Sequence, residues 1–251
     1  MKAIKKAKYF AKGLKEKPKY LYTPEEEEQF EAYIKRNFGD FPKVYHELYS
    51  PDIHVDILLI PPSEKSNYYK LITMGMGAYK MNVPSVLKDY DLERAELVAF
   101  LPPDWNLKFD DENFGWVIKE LKSISRMPII ENGWVGFGHT FLNDEKSEVP
   151  FSKNTKLTSS ILLSAITETY DEYHVDLKLP NKGTINFYQF YPLYKEELEY
   201  IKKNGIEKFS ELIPDDELVP IINPNRTNYC ETKINAKETN NKELDDFEIE
   251  R

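Results

Sequence analysis

The chain has 251 residues, 41% of them hydrophobic and 14% aromatic, and a net charge of −9. That length and apolar content supply a core for one large domain or two small ones, and they exclude wholesale disorder. An acidic balance argues against nucleic acid as a partner and favours basic ones.

Residues 1–20 hold eight lysines and one glutamate, so a basic arm precedes an acidic body. Ile4, Ala7, Ala11 and Leu14 fall on one helical face. This predicts a solvated first helix docked on its own domain, or a basic amphipathic helix on anionic lipid. The arm has no uninterrupted apolar run of the kind a secretory signal needs. No stretch reaches the roughly 20 apolar residues that span a bilayer, so no membrane span is expected. The single cysteine, Cys230, can form no internal disulfide and belongs to no Cys-x-x-Cys pair. A reducing cytoplasm is the expected location.

"TPEEEEQFEAYIKRNFG" reads as a helix: Thr23 is the cap, Pro24 the first helical residue, Glu26 the capping-box partner and Gly39 the stop. Phe30, Tyr33, Ile34 and Phe38 form its apolar stripe. Strand-like runs follow at 44–48, 54–60, 69–76 and 95–101, separated by turn residues and spaced for antiparallel neighbours. "DDENFGWVIKELKSISRMP" is expected to be a helix ended by Pro128. More strands are expected at 160–164, 175–179 and 184–191, then a helix over "YKEELEYIKKNG" stopped by Gly205. The pattern predicts an α+β fold with a mixed, largely antiparallel sheet and flanking helices. Residues 1–22 are expected as the basic arm, 23–222 as the domain and 223–251 as a polar, charged tail.

Four features could carry chemistry. His54 and Asp56 lie two apart on a strand and share a face, opposite Val55, Ile57 and Leu59. They could be a structural pair, a binding feature, or, with His139 and with His46 nearby, a general-base or metal arrangement. "GMGAYKMNVP" follows a strand as a dinucleotide loop would, but it lacks the third glycine and the helix onset, and Walker A chemistry is absent from the chain. Met74, Met76 and Met81 are either core or an adaptable contact patch, beside Tyr79. In "ENGWVGFGHT", Trp134 and Phe137 are either interface anchors or a cover for the sheet end.

The ordered set "HVDILLIPP", "YYKLITMGMGAYKMNVP", "RAELVAFLPPDW", "WVIKELKSISRMP", "WVGFGHT" and "INFYQFYPLYKEELEYIKKNG" with "FSELI" resembles the Suppressor of fused (SUFU) domain family, in particular its bacterial single-domain members. The resemblance implies an α+β domain without catalytic residues or cofactor. Animal members are scaffolds that clamp an extended peptide between this domain and a second one. No second domain is expected here after residues 209–218, so the clamp is not carried over. Bacterial members resemble immunity proteins or antitoxins. The expected partner is therefore a cognate protein toxin, or failing that another protein or peptide. Its expected contact residues are His54, Asp56, Met74, Met76, Tyr79, Trp134, Phe137 and His139. A regulatory peptide scaffold is the first alternative, and a metal-assisted hydrolase using His54, Asp56 and His139 the second.

Overall fold

The computed structural model describes residues 18–50, 52–108, 110–166, 176–214, 217 and 219–231. The basic segment through residue 17, the chain beyond residue 231 and the expected strand start at Val175 lie outside the described residues.

Helix α1, Pro24–Asn37, forms where its signals predict, with both halves of the Thr23–Glu26 capping box in place. Gly39 follows at φ 116° and donates its N–H to the Ile34 carbonyl at 3.1 Å. Strands β1 (Lys43–Tyr45), β2 (Asp56–Ile60), β3 (Tyr69–Met74) and β4 (Ala95–Leu101) come next, with 3-10 turns η1 (Met76–Ala78) and η2 (Ser85–Tyr90) between β3 and β4. Helix α2, Trp116–Glu131, is followed by β5 (Thr140–Leu142), β6 (Ser159–Ser164), β7 (Asp176–Leu179) and β8 (Gly183–Leu193), then by α3 (Lys195–Asn204) and α4 (Ile206–Ser210). Pro128 does not end α2 as expected. It falls in the last turn, where a missing N–H costs one ladder bond, and its ring is buried. The helix closes instead at Asn132, which adopts φ 50° and donates to the Pro128 carbonyl.

The strands form one sheet in the order β1-β2-β3-β4-β8-β6-β5, with β7 also paired to β8. The contact between β4 and β8 is parallel, and every other pairing among the described strands is antiparallel. That exception follows from the long connection through α2, which lets the chain return in the same direction. Asn186 of β8 pairs with β4 and with β7, and Gln189 with β4 and with β6, so β6 and β7 lie end to end along one side of β8.

Helices cover both faces. Val55, Ile57, Leu59, Leu71, Leu97 and Ala99 pack with Val117, Leu121 and Ile124 of α2. Their strand neighbours Leu58, Ile60, Ile72, Val98 and Phe100 pack with Phe30, Ile34 and Phe38 of α1. Alternate side chains of β2 and β4 therefore enter opposite cores, and both strands are buried on both faces. On the α1 side, the Phe187 ring centroid lies 5.4 Å from Tyr33, 5.6 Å from Phe38 and 5.8 Å from Phe30, within the range of favourable aromatic pairing.

Residues on the far side of both expected limits pack on the body. At the N-terminal side, Tyr20 bridges Ile53 and Tyr22 is buried in the α1 core, so the body begins before residue 23. At the C-terminal side, residues 219–231 pack on the body rather than leaving it at Asn223. Ile222 donates its N–H to the Phe100 carbonyl at 2.8 Å. The Arg226 guanidinium meets Glu197 of α3 with bonds of 2.6 and 2.5 Å, and three tyrosine rings, those of Tyr191, Tyr194 and Tyr229, lie within 5.2 Å of its centre. Glu197 also accepts the backbone N–H groups of Tyr194 and Tyr229, both at 3.0 Å. A polar sequence folds here because each charge finds a bidentate, desolvated partner. Removing one partner strands the other, so Arg226→Ala should cost about 3–5 kcal/mol. Replacing the pair together by Glu197→Gln and Arg226→Met should cost less than the single change. Urea melts of the three proteins measure both.

Candidate functional site

The glycine loop after β3 does bind an anion, and the anion is internal. Glu96, the second residue of the central strand β4, is fully buried. Its Oε1 accepts the N–H groups of Gly75 and Gly77 at 2.8 and 2.9 Å and the Tyr22 hydroxyl at 2.8 Å. Its Oε2 accepts the Met76 N–H at 3.3 Å and the Thr73 hydroxyl at 2.5 Å. Three successive backbone N–H groups turned to one concavity form a nest, the geometry that elsewhere holds phosphate. Gly75 stands at φ 123°, and a Cβ there would lie 1.8 Å from the His54 carbonyl oxygen. A Cβ at Gly77 would lie 2.2 Å from the Tyr22 hydroxyl. Gly75 is demanded by close approach as well as by conformation, and Gly77 by close approach. Arg94 closes the loop from outside, with Nη1 donating to the carbonyls of Gly77 and Ala78 at 2.8 and 2.9 Å.

Burial pushes the Glu96 carboxyl up to about 7, against the lowering effect of its donors. The neutral form is accommodated because Thr73 can turn its hydroxyl: its oxygen already accepts the Leu97 N–H at 2.7 Å and can also accept a proton from Oε2.

A second polar network surrounds the entry to β2. Asp56 is buried, and its Oδ2 lies 2.8 Å from His46 Nδ1, while Oδ1 lies 3.0 Å from His54 Nε2 and accepts the Glu47 N–H at 2.8 Å. His54 Nδ1 lies 2.7 Å from Ser50 Oγ, which donates to Glu47 Oε2 at 2.9 Å. Glu47 Oε2 also accepts the Val55 N–H at 3.0 Å and the Arg126 guanidinium of α2. Ser50 has a single proton, and Glu47 can only accept. With the Ser50 proton on Glu47, the Ser50 oxygen is free to accept from Nδ1 of His54 while Nε2 faces Asp56, an arrangement that favours the charged ring. Its pKa is accordingly raised, first by the hydrogen bond to Asp56. Burial alone would raise Asp56. The bonds from His54, the Glu47 amide and His46 outweigh it and hold the carboxyl below its ordinary range. A Ser–His–Asp sequence is thus present, with its serine also bonded to Glu47 and its histidine held between Ser50 and Asp56.

The remaining expected residues fall elsewhere. Met76 and Met81 are buried with the α2 core, which corrects the reading of Met76 as a contact residue: the loop turns it inward once Glu96 has taken its N–H. Met74 and Tyr79 are half-buried, with Tyr79 edge-on to Tyr20 at 5.1 Å. His139 does not join His54 and Asp56. Its ring lies 4.3 Å from that of Trp134, and burial lowers its pKa, which leaves it neutral at pH 7. Among the described residues, no three His, Cys, Asp or Glu side chains are placed to hold a metal ion. Phe137 is exposed at the tip of the turn between Gly136 and Gly138. Glu96, Glu47, Arg126 and the Glu197–Arg226 pair were missed by sequence reading. Glu96 did leave a signal, a lone carboxylate inside "AELVAFL", where an unpaired charge would be untenable.

The mixed sheet covered by helices, with its charged groups spent on internal bonds, defines an α+β domain whose most polar clusters serve the fold. The chain belongs to the Suppressor of fused family: residues 51–227 match the family model "Suppressor of fused protein (SUFU)". That match reaches past Arg226, in keeping with the packed C-terminal segment. The uncharacterized protein UU111 of Ureaplasma parvum serovar 3 (strain ATCC 700970) is 30% identical over 216 residues, covering 84% of this chain and 98% of that one. The crystal structure of a putative SUFU homolog from Neisseria gonorrhoeae FA 1090 superposes with a TM-score of 0.51 at 11% identity, over 89% of this chain and 97% of the other. A crystal structure of a Sufu–Fu complex gives 0.50 at 16% identity, over 71% and 78%. At these identities the two structures speak for the fold.

Two outcomes test the site. Glu96→Ala leaves three backbone donors unpaired in the core and should cost more than Glu96→Gln, which keeps an acceptor for them. A carboxyl raised on folding from 4.5 to about 7 binds its proton more tightly in the folded state. It therefore lowers stability as pH rises through that window, by roughly 3 kcal/mol in all. Urea midpoints at pH 5 and pH 8 should differ less for Glu96→Gln than for the native chain. Separately, Asp56→Ala should cost about 1–3 kcal/mol and reduce partner binding only through loss of folded protein. A urea melt beside a binding titration checks this.

Proposed function

We propose that this chain is a non-enzymatic protein-binding domain of the immunity type, which neutralises a cognate protein toxin in the cytoplasm by covering its active surface. The observation that carries the reading is the fate of the polar clusters. The histidine, carboxylate and glycine-loop features that suggest chemistry are occupied by one another, while large apolar side chains stand on exposed turns. A related SUFU-fold protein has been crystallised as a Sufu–Fu complex, which supports protein binding as the shared capacity. The chain's charge of −9 suits a basic toxin such as a nuclease, because opposite fields accelerate encounter and the gain falls with salt.

The test is co-expression with the toxin encoded beside its gene. Survival of the host, and a complex on gel filtration whose association rate falls as salt is raised, are the expected results. Killing at matched expression with no complex overturns the reading. Recovery of a short extended peptide in place of a folded domain favours the regulatory scaffold instead.

A further inference from the structure

We propose that the face shared by η2 and residues 134–141 is the docking surface for a basic protein. The inference rests on the protein-binding reading above and specifies where the partner lies and what it presents. Turn η2 contains no buried residue, and Val86 and Tyr90 are 82% and 69% exposed. Across from it, Phe137 is 52% exposed. Trp134 lines two adjacent concavities. One is bounded by Leu87, Tyr90 and Leu92, the other by Met127, His139 and Phe141. Trp134 is common to both concavities, which places η2 and the 134–141 segment on one face, with Phe137 three residues along from Trp134.

This face is held rigidly from behind. Asn82 joins its two halves, with its N–H on the Gly133 carbonyl at 3.0 Å and its side-chain amide on the Asn132 carbonyl at 3.2 Å. The end of η2 is pinned where Asn186 of β8 donates to the Asp91 carbonyl at 2.8 Å. The Phe137 turn is pinned where Gly138 donates to the Leu162 carbonyl at 2.8 Å. Exposed anchors on a fixed backbone lose little freedom on binding, which favours affinity. The charges on this face are Asp89, Asp91, Glu131 and Asp176 against Lys88 and Lys178, so the rim is acidic. His139 adds no positive charge at pH 7, since burial keeps it neutral. An acidic rim around an aromatic centre selects a partner with lysine or arginine on its contact face, which can pair with the rim and stack on Trp134.

Photocrosslinking in cells of the source species tests this. The full chain carries benzoylphenylalanine at position 90 or 137, and at Tyr49, another exposed aromatic residue, as a control. The captured protein is identified by mass spectrometry and purified. Capture of one basic protein from both positions is expected. Its affinity should fall about tenfold or more for the doubly substituted Tyr90→Ala, Phe137→Ala chain, whose urea midpoint stays unchanged because both side chains are exposed. Capture only at Tyr49, no capture at 90 or 137, capture of an acidic protein, or native affinity in the double variant overturns the proposal. A captured basic protein that is harmless when expressed alone removes the toxin reading and keeps this surface. A toxin that binds the double variant as well as the native chain removes this surface and keeps the toxin reading.

Discussion

The Glu96 carboxylate is the constraint around which the rest of the domain is arranged. A charge on a central strand covered on both faces is costly unless its lone pairs are met. Three of its donors are backbone N–H groups of residues 75–77, which cannot turn away, so the position requires an acceptor. Tyr22 brings the chain before α1 to the same point, and Gly75 brings the His54 carbonyl against the loop. One side chain therefore ties the N-terminal entry, the exit of β3 and the approach to β2 to the sheet centre.

The same device recurs at the margins. Glu47 and Asp56 gather the 46–56 segment onto α2 through Arg126, and Glu197 draws residues 226–229 onto α3. In each case a carboxylate collects backbone N–H groups and an arginine or histidine, and an irregular segment becomes part of the body without regular pairing. The carboxylate oxygens in these networks are taken up by internal donors. The proposed partner surface lies on turns, where function grafted on a common fold is most readily varied.

The longer helices and strands were legible because their signals are local, while the short β5 and α4 were not. Thr23, Pro24, Glu26 and Gly39 mark α1 without reference to anything distant, and the 95–101 run coincides with β4. The parallel contact of β4 with β8 was not legible, since it depends on a connection of more than eighty residues. The candidate site was half legible. His54 and Asp56 do meet, but the partners that decide their role, Ser50, Glu47 and Arg126, include one 79 residues away from Glu47 and leave no periodic trace. The C-terminal segment read as a tail because Asn223, Asn225 and Arg226 look solvated until a buried glutamate is supplied from α3. Sequence patterns report burial of apolar faces well, and they are silent on which buried charge answers which.

Native-state hydrogen exchange at the amides of Gly75, Met76 and Gly77 tests the central claim most directly. If the loop is bolted to Glu96, these three amides exchange as slowly as those of β3 and β4, opening only with the whole domain. Exchange at the rate of an exposed turn would contradict the account, because it would mean a loop whose N–H groups await a ligand from outside.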